Sequence, residues 1–92
     1  MVDLSIVIVS WNVRELLQNC LRSVLAETNL SLQIIVVDSA STDGSPEMIA
    51  EQFPQVELVT CQENVGFPGG NNLGLARANG RYILFLNPDT IV

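Results

Sequence analysis

Four apolar runs, each closed by polar turn formers, divide the chain into alternating strand and helix patterns. The most informative is Ile34-Ile35-Val36-Val37, which ends abruptly in Asp38-Ser39-Ala40-Ser41-Thr42-Asp43-Gly44. A β-branched run with no polar alternation reads as a strand covered on both faces. Leu4 to Val9, apolar except for Ser5, is a first strand that runs into Ser10-Trp11-Asn12. Val56 to Thr60 alternates weakly and carries Glu57, as an edge strand tolerates. Tyr82 to Leu86 is a fourth strand that ends in Asn87-Pro88-Asp89-Thr90.

Between the strands the period changes. Leu16, Leu17, Cys20, Leu21, Val24 and Leu25 recur at helical spacing, predicting an amphipathic helix from Asn12 to about Ala26. Asn12 with Glu15 has the form of a capping box. A loop over 28–31 leads to the second strand. Ser45 as cap and Pro46 at the first helical position open a short helix lined by Met48, Ile49 and Phe53, which stops before Pro54. Glu63 to Gly74 reads as the longest irregular stretch. Asn71 or Asn72 would then cap a modest helix through Leu73, Leu75, Ala76 and Ala78, closed by Asn79-Gly80. The order is βαβαβαβ. The predicted fold is α/β: a three-layer α/β/α half-Rossmann parallel sheet with strand order 3-2-1-4.

That order would set the ends of strands one, two and four side by side, where open α/β sheets bind ligands. Ser10-Trp11-Asn12, Asp38 and Asn87-Pro88-Asp89 would share one crevice. Asp38 and Asp89 are either site carboxylates or ordinary turn residues. As a site, two carboxylates need a cation between them, and oxygen ligands without histidine favour Mg2+ or Mn2+ over zinc.

Composition narrows the partners. The 92 residues make one small domain, which can bury roughly 60–65% of its unfolded surface. At 48% hydrophobic the chain is richer in apolar residues than that core needs. An exposed sheet edge that meets another chain, or further chain of the same protein, is therefore expected. A net charge of −6 with no histidine argues against nucleic acid and against an anionic membrane. The two cysteines, Cys20 and Cys61, form no Cys-x-x-Cys pattern and read as buried thiols in a reducing, cytoplasmic setting. No apolar run approaches a membrane span, and Asp3 spoils a signal peptide. Arg77 and Arg81 could reach a phosphate or simply flank a helix end. Glu15, Glu27, Glu47 and Glu51 read as solvated helix faces.

Several phosphate and metal motifs are absent. Strand one lacks a following Gly-x-Gly-x-x-Gly, Gly66 to Gly70 lacks the Lys-Ser/Thr of a Walker A loop, and Asp38 to Gly44 lacks the ligands of a calcium loop.

Four segments in order resemble the N-terminal half of a family 2 glycosyltransferase of the GT-A fold: Ser5 to Asn12, Ile35 to Ser45, Asn64 to Gly74, and Leu84 to Thr90 in the place of the D-x-D region. The resemblance implies a nucleotide-diphosphate sugar, UDP- or dTDP-linked, held by Ser10, Trp11, Asn12, Asp38, Ser41, Gly66, Asn72 and Asn87, with Asp89 as ligand to Mg2+ or Mn2+. Asn87 stands where many relatives carry the first Asp; its neutral amide adds no charge, which weakens the metal site. The Asn-Pro-Asp form is similar to rhamnosyltransferase-like members. The implied reaction is inverting transfer of the sugar to an acceptor hydroxyl on a glycan or lipid-linked saccharide, at a cytoplasmic or membrane-peripheral enzyme. The family's catalytic base falls beyond Val92. The chain is therefore expected to be a donor-binding half that is inactive alone. The rival from another class is a non-catalytic α/β fragment that self-associates through its exposed sheet edge, a homo-oligomer without a ligand.

Overall fold

The computed structural model describes residues 2–27 and 31–92. Most of the loop expected over 28–31 lies outside the described residues. The elements run β1 (Leu4–Ser10), α1 (Arg14–Ala26), β2 (Leu32–Ser39), α2 (Ser45–Gln52), β3 (Glu57–Cys61), α3 (Gly66–Arg77) and β4 (Tyr82–Leu86). The strands form one parallel sheet in the order β3-β2-β1-β4, as expected from the alternating pattern. β1 and β2 lie in the centre, so their unbroken apolar runs are buried on both faces.

Strand alternation splits the core in two. Ile6, Ile8, Ile34 and Val36 face α1 and α2, packing with Leu17, Leu21, Met48 and Ile49. Val7, Val9, Ile35 and Val37 point to the other side, where α3 lies on β1 and β2. The three layers are therefore present. β3 and β4 are the edges, and they differ: β3 carries the exposed Glu57, whereas β4 exposes Tyr82, Ile83, Leu84 and Phe85.

The local differences from expectation have physical causes. The irregular stretch before Gly74 is instead most of α3, which begins at Gly66. Asn71 and Asn72 sit inside that helix and cap nothing. Its buried residues are Gly70 and Gly74, one turn apart, so its backbone lies directly on Val9 and Val7. α1 starts at Arg14 and the Asn12–Glu15 capping box does not form. Leu16 lies outside the buried stripe. α2 takes Gly44, at φ +84°, as its cap, with Ser45 as its first residue, a left-handed conformation that glycine adopts without steric cost. β2 runs two residues further at each end than the apolar core Ile34 to Val37, and Asp38 lies within it. Cys20 is buried, whereas Cys61, the last residue of β3, is half-buried.

Candidate nucleotide cleft

At the carboxyl edge of the sheet the ends of β1, β2 and β4 lie side by side. Ser10 and Asp38 are register partners across β1 and β2. Both are buried, Asp38 to 2% exposure. Asp38 Oδ2 accepts a hydrogen bond from the Ser41 backbone N–H at 3.0 Å, the local turn its residue type allows. Its Oδ1 and the Ser10 hydroxyl oxygen are buried without a partner. Buried polar atoms in native structures nearly always have partners, so these two hold unused hydrogen-bonding capacity.

The chain leaves both strands sharply: Asn12 after β1 and Ala40 after β2 take positive φ, 52° and 62°. Such conformations persist only where the surroundings fix them. Here the two turns fix each other. The Asn12 backbone N–H donates to Ser41 Oγ at 2.9 Å, and the Thr42 N–H donates to Asn12 Oδ1 at 2.7 Å. Behind them Asp43 accepts from Arg14 N–H at 2.9 Å and from Ser45 N–H at 3.1 Å, the opening amides of α1 and α2. The Ser45 hydroxyl adds a third bond at 2.5 Å. Burial pushes the Asp43 carboxyl up, but these hydrogen bonds outweigh it and hold it below its ordinary value.

Beside this knot opens a cleft of about 310 Å³ lined by Val9, Trp11, Val13, Ser39, Asn64, Gly66, Phe67 and Pro88. Trp11 and Phe67 are 54% and 58% exposed, flat aromatic surfaces suited to stacking a base or sugar. Ser39 and Asn64 build its floor. Ser39 Oγ donates to Asn64 Oδ1 at 2.8 Å and accepts from Val65 N–H at 2.8 Å, while Gly66 N–H donates to Asn64 Oδ1 at 3.0 Å. The start of α3 is thereby tied to the end of β2.

Of the residues marked in the sequence, Trp11 and Gly66 line the cleft, as does Pro88, the residue between Asn87 and Asp89. Ser10 and Asp38 are buried at the adjoining strand ends. Asn12 and Ser41 hold the turns rather than line the cleft. Asn72 is exposed, well inside α3. Arg77 and Arg81 flank the amino end of β4, away from the cleft, and Arg81 stacks on the Tyr82 ring at 5.6 Å. Ser39, Asn64 and Phe67 were not singled out by sequence reasoning, although each falls within a segment that carried the resemblance.

Asp89 is exposed, on a turn closed by the Thr90 N–H donating to Asn87 O at 3.1 Å. Its charge is felt at Cys20, whose thiol is pushed up first by burial and then by Asp89, with the Thr90 N–H acting the other way. Among the described residues no three acidic, cysteine or histidine side chains form a metal cage. One carboxylate on a turn fits Mg2+ or Mn2+ all the same, since such ions keep waters and take substrate phosphates as ligands.

A sequence model described as Glycosyl transferase family 2 matches residues 5–92. The succinoglycan biosynthesis protein ExoO of Rhizobium meliloti is 31% identical over 91 residues, covering 98% of this chain and 26% of that protein. A crystal structure of S. aureus TarS residues 1–349 in complex with UDP superposes with a TM-score of 0.82 at 25% identity, covering 95% of this chain and 27% of that one. The mannosyltransferase PcManGT of Pyrobaculum calidifontis, in complex with GDP-Man and Mn2+, gives 0.80 at 26%, covering 99% and 30%. The chain thus spans between 26% and 30% of the length of these three proteins.

Proposed function

The chain belongs to glycosyl transferase family 2, and from that premise we propose that residues 1–92 are the donor-binding half of an enzyme transferring a sugar from a nucleotide diphosphate to an acceptor hydroxyl with inversion. One observation carries this reading. Segments far apart in sequence converge on an aromatic-lined cleft at the carboxyl edge of the sheet, and the strand-end residues Ser10 and Asp38, next in the chain to its lining residues Trp11 and Ser39, hold an unpartnered hydroxyl and carboxylate oxygen. A base or ribose would supply the donor that Asp38 lacks and stack on Trp11. The UDP and GDP-Man held by the two structural neighbours support a nucleotide sugar here, and UDP or dTDP is the form expected. The Asn87-Pro88-Asp89 sequence supports a rhamnosyltransferase-like subgroup.

Asp89, with Asn87 as a neutral neighbour, would hold Mg2+ or Mn2+. When bound, the ion offsets negative charge on the departing diphosphate. The Mn2+ of the mannosyltransferase supports that assignment. The base that takes the acceptor's proton is assigned to chain outside these 92 residues, so the isolated chain should bind donor without turning it over. We place the enzyme in the cytoplasm, acting on a glycan or lipid-linked saccharide. No helix among the described residues is long and apolar enough to cross a membrane.

Thermal shift with UDP, dTDP and GDP, each with and without Mn2+, tests the donor reading. One nucleotide with Mn2+ should stabilise the fold by about 1.4 kcal/mol at tenfold excess over its Kd. Asp89→Ala should remove the metal-dependent part, and Asp38→Ala the response to nucleotide itself. An unchanged midpoint with every nucleotide sinks it.

A second reading is favoured by β4, whose Tyr82, Ile83, Leu84 and Phe85 are all exposed on an edge strand. We infer that the isolated chain pairs β4 with β4 of a second copy, extending the sheet. Sedimentation velocity from micromolar to millimolar protein should show a dimer that Phe85→Lys abolishes. A monomer throughout that range rules it out.

A further inference from the structure

We propose that Cys20 is a positioning residue: from the middle of α1 its thiol holds the Asn87 carbonyl, and so sets where Asp89 stands, next in the chain to the cleft-lining Pro88. The inference rests on the assignment of Asp89 as the metal-holding residue. Past β4 the chain leaves the ladder, and what fixes it is α1. Cys20 is wholly buried, and its S–H donates to Asn87 O at 3.8 Å. The Thr90 N–H donates to that same oxygen, closing the turn that carries Pro88 and Asp89. One helical step on, Ser23 Oγ donates to Cys20 O at 2.8 Å and accepts from Val92 N–H at 3.1 Å.

Residues three apart lie on one helix face, so Cys20 and Ser23 grip the segment at two points, Asn87 and Val92. The bland role for a buried thiol is that of a small hydrophobe. An apolar side chain there would fill the space equally, but it would leave the Asn87 carbonyl with one donor fewer. The grip matters because Asn87 is neutral. The single carboxylate of the turn must then be correctly placed to share an ion with a diphosphate, and groups that orient ligands without touching the ion commonly govern affinity.

Amide hydrogen exchange and Mn2+ binding, followed by electron paramagnetic resonance with UDP present, test this in Cys20→Ala, Cys20→Ser and Ser23→Ala. In Cys20→Ala, exchange at Thr90 should rise about tenfold while the β2 amides keep their protection. Mn2+ affinity should fall roughly tenfold in the same variant. Ser23→Ala should loosen Val92 first. Cys20→Ser keeps a hydroxyl donor and should recover much of both losses. The proposal is overturned if Thr90 exchange is unchanged in Cys20→Ala, if protection falls equally through α1 and β2, or if Ser rescues nothing. Should the exchange pattern hold while the unsubstituted chain takes up no Mn2+ with UDP, the positioning role stands and the donor-site reading fails.

Discussion

Replacing both Gly70 and Gly74 by alanine should destabilise the fold by about 3 kcal/mol, although helix propensity alone predicts a gain of up to ~1 kcal/mol at each site. A Cβ on Gly74 would sit 2.3 Å from Val7 Cγ1, and one on Gly70 2.5 Å from Val9 Cγ1. Neither valine can yield. Both are buried, in a strand with neighbours on each side, and β-branching leaves them few rotamers. The helix must rise instead, opening a gap over β1 and dragging Gly66 and Phe67 away from the cleft. Because one lifted helix serves both sites, the second alanine should cost less than the first. Val7→Ala should rescue Gly74→Ala beyond additivity, whereas Asn72→Ala, on the exposed side of α3, should be neutral. Urea melts of the series decide it: a Gly74→Ala variant more stable than its parent would mean that α3 does not lie on β1 as described.

The same glycines explain why α3 was the element least legible in the sequence. Helices are recognised by periodic apolar residues, and in α3 the large ones, Phe67, Leu73 and Leu75, are exposed. The buried positions are marked by missing side chains, and a close-approach signal of that kind looks like a loop. β1, β2 and β4 were legible because a buried central strand, or an apolar edge strand, writes its whole length as hydrophobic residues. The parallel order and the crevice at the carboxyl edge followed from that. Asp38 stood out as the polar end of an apolar run, yet its burial and its orphan oxygen depend on tertiary packing that no local pattern states. Asn64 and Ser39 escaped for a related reason: their partners are each other, 25 residues apart in the chain.

Asp43 gives the second large effect and shows the limit of local capping patterns. Asn12-x-x-Glu15 has the expected form, but the α1 amide of Arg14 is taken by a carboxylate 29 residues away, which also takes Ser45 N–H at the start of α2. One anion therefore serves two helix N-termini, where it meets unsatisfied donors and the positive ends of both dipoles. With about 1 kcal/mol typical for each cap, Asp43→Ala should cost roughly 2–3 kcal/mol and lower Tm by roughly 10–20 °C. Asp43→Asn retains one acceptor oxygen and should fall between. The pH dependence has a definite sign. The folded carboxyl is held below its ordinary value, near 3.9 in the unfolded chain, so its contribution is complete above that value and is lost as pH falls through the folded one. The stability gap between the parent and Asp43→Asn should therefore be full at pH 7 and shrink on acidification below about pH 4, which a comparison of thermal melts isolates from the other acids. A gap that stays constant down to pH 2 would show that the charge contributes nothing and that Asp43 acts by hydrogen-bond geometry alone. A gap that closes as described would make the Asp43 carboxylate the charged tie that fixes the turns after β1 and β2, and with them the Trp11 side of the cleft.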